Sequence, residues 1–233
     1  MKFDMSNFRK EHGPRDIGPA IHFPERTWYC IRVLDMLVSS PDVPYLTNCV
    51  LLPSGPLTDY RPLIVQCLHD YGDHKGRYVY LTVDQGLVKA GMSQRHGGCH
   101  VDGFQGARIN PKVEEDTTYV VSDVCPTEFF VQSWELDGLD LMKDNVFLHM
   151  DQQAKLHRMW APGAKHVVRC SPYDVHRAAV PEKDTMRTFI RVAISVRRFD
   201  RKGNTINPSL DRLGAYADWS WHSRDLPKHL VGP

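Results

Sequence analysis

The spacing of apolar residues changes near Gly72. Before it, apolar side chains recur every three or four residues in two stretches, which predicts helices at residues 26–39 and at Leu57–Tyr71. Pro41 and Pro44 follow the first stretch and end that helix. Residues 1–25 are polar and rich in Gly and Pro, so we expect an irregular arm there. Residues 45–52 are compatible with a short strand.

Beyond Gly72, β-branched and aromatic residues form short runs that Gly, Pro and Asp separate. Such runs predict strands joined by turns, and a series of them is typical of an antiparallel sandwich or barrel. The segment 136–160 fits either a helix or a strand. The strand candidates are Tyr78–Val83, Cys99–Phe104, Thr117–Val124, Glu128–Trp134, His166–Cys170 and Thr188–Phe199.

A length of 233 residues suits one well-packed domain. We divide it into an N-terminal arm with supporting helices (1–75), a β core (76–200) and a C-terminal tail (201–233). The tail carries Tyr216, Trp219 and Trp221, which we expect to pack back onto the domain.

Composition excludes few function classes. The formal net charge is +1, from 29 basic and 28 acidic residues, so charge alone demands neither a nucleic-acid nor a membrane partner. No run approaches the roughly 18 apolar residues of a membrane span, and the N-terminus lacks the apolar run of a signal peptide. The six cysteines form no Cys-x-x-Cys pair, so we expect reduced thiols in a cytoplasmic protein and no zinc ribbon.

His100 and Asp102 are two residues apart in a predicted strand, which places both side chains on one face. Gly97, Gly98 and Gly103 surround the pair and would let a backbone or a ligand approach closely. A solvated strand face is the alternative explanation. We favour a metal site because of residues farther along the chain.

Those residues are His176 and, 11 and 15 positions later, Arg187 and Arg191. Two imidazoles and one carboxylate can occupy one face of an octahedral metal and leave the opposite positions open, as in non-haem Fe(II) oxygenases. The two arginines lie four residues apart in a strand and so share a face, where each guanidinium could hold a carboxylate.

Other histidines compete for these roles. His149 and Asp151 repeat the His-x-Asp pattern, but their surroundings are more helical, which would separate the two side chains. His157 and His166 precede His176, but neither has arginines at the spacing that follows His176. A polar turn explains the cluster between His69 and His74.

The ordered set His100-x-Asp102, His176-x10-Arg187-x3-Arg191 resembles the Fe(II)/2-oxoglutarate-dependent oxygenases, most closely the taurine dioxygenase and clavaminate synthase branch. The stretch from Val175 to Ala178 is also similar to the phytanoyl-CoA hydroxylase-like group. The resemblance runs from Tyr78 to Ser195. It implies a mainly β fold with flanking helices and a double-stranded β-helix core (jelly-roll, cupin-like), in which helices support one sheet.

The resemblance also implies the chemistry. Fe(II) would bind His100, Asp102 and His176, with 2-oxoglutarate and O₂ as co-substrates. We favour Arg187 for the distal carboxylate of 2-oxoglutarate, with Arg191 assisting near the metal. Succinate and CO₂ would be released while an unactivated C–H bond is hydroxylated. Because Asp102 is present, the resemblance favours hydroxylation over halogenation.

Three functions remain open from the sequence. The first is hydroxylation of a small polar metabolite, such as an amino acid or another carboxylate. The second is oxidation of a nucleobase or nucleotide, within DNA or RNA, by the same superfamily chemistry. The third is a cupin-like module that binds a metal without turnover. Neither the substrate nor the oligomeric state follows from the sequence. Candidate substrate contacts, each equally explained as a solvated loop residue, are Gln94, Arg95, Gln105 and Arg108.

Overall fold

The structure, a computed structural model, describes residues 4–43, 49–95, 97–103, 114–140 and 143–223. Within these ranges the chain is mainly β, and every strand pairing is antiparallel. The strands are β1 (Arg15–Pro19), β2 (Ile31–Ser39), β3 (Tyr78–Val88), β4 (Thr117–Ser122), β5 (Glu128–Phe130), β6 (Met159–Trp160), β7 (His166–Cys170), β8 (His176–Arg177) and β9 (Thr185–Ser195). The α-helices are α1 (Arg61–Tyr71), α2 (Val146–Gln153) and α3 (Pro208–Asp211), and 3-10 turns cover Met5–Arg9, Pro56–Tyr60 and Leu156–Arg158.

The strands form two sheets. The large sheet has the order β1-β7-β4-β9-β3-β2, and the small sheet has the order β6-β5-β8. His100 extends the small sheet through a bridge to His176 of β8. From β3 onward the chain crosses repeatedly between the sheets, visiting β3, His100, β4, β5, β6, β7, β8 and β9 in turn. Eight segments wound in this way make a jelly roll. The predicted fold class is therefore confirmed.

The outer face of the large sheet is covered by α1. Pro62 lies in the first turn of this helix, and Gly72 caps its end with φ of 88°. The buried residues of α1 pack against alternate residues of β3 and β9, including Leu81 and Ile190. Since strand side chains alternate, this packing directs the neighbouring residues Arg187, Phe189 and Arg191 to the inner face, between the sheets.

The first predicted helix is wrong, because residues 31–39 form β2. Val33 pairs with Val83 and Met36 pairs with Leu81, so Leu34 and Asp35 together oppose Thr82 alone. This β-bulge adds one residue to the strand and places the buried Val33 and Met36 three positions apart. The spacing imitates a helix. Thus one helix, α1, supports the large sheet in the described residues where two were expected.

Several segment boundaries also differ from the predictions. Residues 49–52 of the expected strand 45–52 are not in a strand, and residues 44–48 lie outside the described ranges. Residues 99–103 contribute only the bridge at His100. The strand predicted to begin at Thr188 begins at Thr185, and the one expected to reach Trp134 ends at Phe130.

Two further segments complete the core. Helix α2 resolves the ambiguous segment 136–160, and its residues Phe147 and Met150 pack with Phe130 on the outer side of the small sheet. The C-terminal tail packs back as expected, with Tyr216 and Trp219 against Tyr80 and Ala193 of the large sheet. All six cysteines are free thiols. No helix within the described ranges has the length and apolar character needed to cross a bilayer.

Candidate metal and co-substrate site

His100 and His176 lie side by side on the small sheet. The backbone N–H of each donates to the carbonyl oxygen of the other, at 2.8 and 2.9 Å, and the ring centroids are 4.6 Å apart. The Nδ1 atom of His100 lies 3.1 Å from the carbonyl of Gly98, and that of His176 lies 2.8 Å from the carbonyl of Asp174. Because a carbonyl only accepts, each Nδ1 donates to it, and Nε2 is then the ring nitrogen through which each histidine could bind a metal.

Asp102 is the carboxylate next to this pair. Burial raises its pKa, but the neighbouring positive charge of Arg191 outweighs this effect and holds the pKa well below its ordinary value, and protonation of either histidine would lower it further. The carboxylate is therefore ionised at neutral pH, as a metal ligand must be. Gly103 follows with φ of 78°, and a Cβ there would come within 3.4 Å of the Asp116 carboxylate. The turn after Asp102 thus favours glycine.

The donor set fits one transition-metal ion. Two imidazoles that bind one ion through Nε2 at about 2.1 Å, at right angles, have ring centroids about 4.5 Å apart, close to the distance between His100 and His176. Asp102, however, is turned toward Arg191. In the described part of the chain, no three His, Cys, Asp or Glu side chains are already arranged to hold a metal. Asp102 would have to shift toward the histidines on metal binding.

Arg191 joins this carboxylate to a second one. Its Nη1 donates to Asp102 Oδ1 at 2.8 Å, and its Nη2 donates to Asp35 Oδ1 at 2.6 Å. Burial lowers the pKa of Arg191, but the charges of Asp102 and Asp35 raise it above the ordinary value. The Nε–H group is buried and has no acceptor among the described residues. It is therefore a candidate donor to a bound ligand at the edge of the site.

Arg187 lies four residues away on the same face and is 2% exposed. Its Nε donates to the carbonyls of Val124 and Cys125 at 3.2 and 3.0 Å, and its Nη2 lies 3.4 Å from Ser122 Oγ. Its Nη1 donates to Gln94 Oε1. All of these acceptors are neutral, and burial lowers the pKa of Arg187 to about 10. The charges of Asp123 and Asp84 act in the opposite direction, but no described carboxylate forms an ion pair with Arg187, so the guanidinium lacks the adjacent anion that normally compensates a buried charge.

The residues predicted to contact substrate have different surroundings. Besides accepting from Arg187, Gln94 donates through Nε2 to the backbone carbonyl of Asp84 at 2.8 Å, so it supports the arginine. Arg95 lies 5.6 Å from the Phe189 ring centroid, and Arg187 lies 5.3 Å from it. The backbone carbonyl of Arg95 accepts from Ser93 Oγ at 2.8 Å, but no hydrogen bond or ion pair joins its guanidinium to another described residue. Gln105 and Arg108 lie outside the described residues.

The competing histidines do not join the pair. His149 and Asp151 are on α2, as their helical surroundings indicated, and Asp151 accepts from the backbone N–H of Cys99 at 3.1 Å. His157 is exposed, and His166 contacts Asp16 of the neighbouring strand. Sequence reasoning missed Asp35. Its signal is a single acidic residue inside the apolar run Ile31–Ser39.

No protein-family model matches this chain, and no curated protein matches it. Among solved structures, EvdO2 from Micromonospora carbonacea var. aurantiaca is similar at 14% identity over 70% of this chain and 67% of that one, with a TM-score of 0.38. The same protein complexed with 2-oxoglutarate aligns at 15% identity over the same shares, with a TM-score of 0.39. An oxidoreductase of the 2OG-Fe(II) oxygenase family from Burkholderia pseudomallei aligns at 12% identity over 88% of this chain and 80% of that one, with a TM-score of 0.37. At these identities and TM-scores, the chemistry of this chain has to be inferred from its own residues.

Proposed function

We propose that this chain is an Fe(II)- and 2-oxoglutarate-dependent dioxygenase that hydroxylates a small polar molecule. The proposal is carried by one convergence on the inner side of the jelly roll. Two imidazoles that bind backbone carbonyls through Nδ1, an ionised carboxylate, the buried Arg187 and the partly buried Arg191 lie there. A structural role explains the histidines or the arginines separately. It does not explain an Arg191 Nε–H that has no acceptor in the described part of the chain, beside a cationic Arg187 with neutral partners.

His100, Asp102 and His176 would hold the ferrous ion and leave its remaining positions open for co-substrate and O₂. When bound, the iron supplies the redox chemistry by which 2-oxoglutarate and O₂ give succinate and CO₂, with one oxygen atom entering succinate and the other a C–H bond of the substrate. The chain contributes orientation. The carbonyls of Gly98 and Asp174 fix the two rings, and the paired backbones fix their separation.

The two arginines provide separate contacts for the two ends of a dicarboxylate. Arg191 adjoins the metal carboxylate, and its free Nε–H can donate to the carboxylate of 2-oxoglutarate nearest the metal. Arg187 is farther along β9, and a distal carboxylate would be a stronger acceptor than its present neutral partners. Gln94 would then orient Arg187 for binding the co-substrate.

The surroundings of Arg95 indicate the substrate class. Arg95 is a third cation on this face, without an acceptor among the described residues, and it stacks on Phe189. Burial and the charge of Arg191 lower its pKa, so an anion beside it would be stabilising. We therefore assign Arg95 to an acidic group of a small substrate such as an amino acid or another carboxylate. Gln105 and Arg108, just after Asp102, remain candidates by their position in the chain.

Succinate formation tests the reaction class. Metal-free protein is supplied with 2-oxoglutarate under air, with and without added Fe(II), and succinate is measured by mass spectrometry. We expect iron-dependent succinate, even without substrate at a slow uncoupled rate, and its loss in Arg187→Met. The surface variant Arg32→Met on β2 should behave like the unaltered chain. The proposal would be excluded if the protein binds neither Fe(II) nor 2-oxoglutarate.

A substrate survey tests the finer claim. Amino acids, other carboxylates and nucleotides are added in turn, and products are screened for a mass gain of one oxygen together with faster succinate release. We expect turnover with acidic small molecules and its selective weakening in Arg95→Met. Product from nucleotides alone would overturn the assignment of substrate class and leave the reaction class intact.

A further inference from the structure

Asp35 occupies the β-bulge of β2, next to the site just described. Its backbone has φ of 42°, in the left-handed region that non-glycine residues rarely adopt. Bulges commonly aim a side chain at a functional site, and strained backbone persists where surrounding contacts hold it. Here the outer edge is held by Thr205, which exchanges hydrogen bonds with the backbone of Leu34 at 2.8 and 3.0 Å.

Three neighbouring strands each contribute one residue to a single network. Thr82 of β3 lies directly opposite Arg191 of β9 in the strand register. Its hydroxyl accepts from the Asp35 backbone N–H at 3.1 Å and donates to Asp35 Oδ1 at 3.0 Å. The same carboxylate oxygen accepts from Arg191 Nη2. The bulge therefore delivers a carboxylate to a defined place on the inner face of the sheet.

Arg191 is thus shared between two acids, Asp35 and Asp102. The side chains of Arg191, Asp35 and Asp102 are 15%, 21% and 19% exposed, so solvent screens these contacts only weakly. With one carboxylate available, a guanidinium tends to form a bidentate pair that occupies both carboxylate oxygens. Because Nη2 is held by Asp35, only Nη1 reaches Asp102.

We propose that Asp35 is a positioning residue that restrains Arg191, so that Asp102 stays available to the metal and the Arg191 Nε–H stays available to the co-substrate. This inference rests on the proposed function and adds a residue to it. Without Asp35, the guanidinium closes on Asp102 as a bidentate pair and competes with the metal for it. The second charged hydrogen bond that Arg191 gains with Asp102 must then be broken when the metal binds, so metal binding should weaken roughly 10-fold or more.

The variants separate the carboxylate from the backbone of the bulge. Asp35→Asn removes the charge but keeps a residue type that tolerates positive φ, and Asp35→Gly removes the side chain at no steric cost. Thr82→Val removes only the hydroxyl that orients Asp35. The matched control is Asp42→Asn, which breaks a 3.0 Å ion pair with Arg198 in the turn that follows the same strand.

The experiment measures Mn(II) affinity by electron paramagnetic resonance and 2-oxoglutarate affinity of the Mn(II)-loaded protein by calorimetry. We expect Asp35→Asn and Asp35→Gly to weaken Mn(II) binding about 10-fold, Thr82→Val to act in the same direction, and Asp42→Asn to match the unaltered chain. Thermal midpoints report any general loss of stability, which would not by itself weaken metal binding in the folded protein.

A second comparison uses the Arg191→Met background. If Asp35 acts through Arg191, adding Asp35→Asn to this variant changes Mn(II) affinity no further. Equal affinities in the unaltered chain and in Asp35→Asn would overturn the inference while leaving the proposed function standing, as would an equal Asp35→Asn effect with and without Arg191. If the unaltered chain itself binds neither Mn(II) nor 2-oxoglutarate, the proposed function fails and the positioning role fails with it.

Discussion

The backbone N–H groups of His100 and His176 donate to each other's carbonyl oxygens, although most of the β core separates the two residues in sequence. A metal site at this position would thus depend on strand pairing. The contacts that hold the small sheet together also set the distance between the two rings. Such backbone pairing would suit metal ligands, which must keep their geometry while substrates exchange.

Arg187 offers a test of co-substrate binding. Arg187→Met removes the fork that we assign to the distal carboxylate, and loss of a charge-assisted bidentate contact should weaken 2-oxoglutarate roughly 100-fold. Arg187→Lys keeps the charge without the fork and should recover part of the loss. Calorimetry with 2-oxoglutarate measures the effect, with exposed Arg32→Met as the control.

The same variants can be titrated with a 2-oxo acid that has no distal carboxylate. We expect Arg187→Met to bind that acid as well as the unaltered chain does. Equal weakening of both ligands would mean that Arg187 supports the fold of the site and does not contact the distal group.

Gly103 connects Asp102, the proposed metal ligand, to the next turn. Gly103→Ala forces a Cβ onto a backbone with φ of 78° and within 3.4 Å of Asp116 Oδ2, at a cost of about 1–2 kcal/mol. Because Asp102 is the adjacent residue, we expect weaker Mn(II) binding, measured by electron paramagnetic resonance, together with a lower free energy of unfolding, measured by urea denaturation. Gly203→Ala is the control, since φ is 94° there but no atom lies near its Cβ. Unchanged Mn(II) affinity in Gly103→Ala would contradict a role of this turn in positioning Asp102.

Asp70 should give the fold part of its acid sensitivity. At the end of α1 it accepts from Tyr119 of β4 at 2.8 Å and from Arg15 of β1, and it lies 3.4 Å from Arg169 of β7. Burial raises its pKa, but these hydrogen bonds and charges hold the pKa below the unfolded value of 3.8. The stabilisation is therefore complete above that pH and is lost as the pH falls through the lower, folded value.

The corresponding variant is Asp70→Asn. We expect it to lower the free energy of unfolding by about 1 kcal/mol at pH 7 and by less at pH 3. Urea denaturation at both pH values measures this difference, and Asp73→Asn, in the exposed turn that follows, should change little. If Asp70→Asn lowers the free energy of unfolding equally at both pH values, the Asp70 charge is not the source of the stabilisation.

The sequence predicted which candidate site residues share a strand face better than it predicted the elements around them, and metal binding by these residues stays a prediction. His100 and Asp102 are two residues apart, and Arg187 and Arg191 are four residues apart, so each pair shares a face wherever the backbone is regularly extended. Strand β9 pairs with β3 without a bulge, so this rule holds for the two arginines. Strand β2 is not regular. The extra residue in its bulge gives its apolar positions the spacing of a helix. This spacing led to the wrong prediction of a helix, and Asp35 was therefore missed as a site residue. The contact between Gln94 and Arg187 joins a loop to a strand, and no local pattern encodes it.

Metal stoichiometry tests most directly whether His100, Asp102 and His176 bind one ion. Mn(II) is titrated into the unaltered chain, into His176→Ala and into His157→Ala, whose imidazole is exposed and away from the pair. We predict one tightly bound ion per chain in the first and third proteins and none in His176→Ala. Equal binding by all three proteins, or loss only in His157→Ala, would contradict a metal centre at His176.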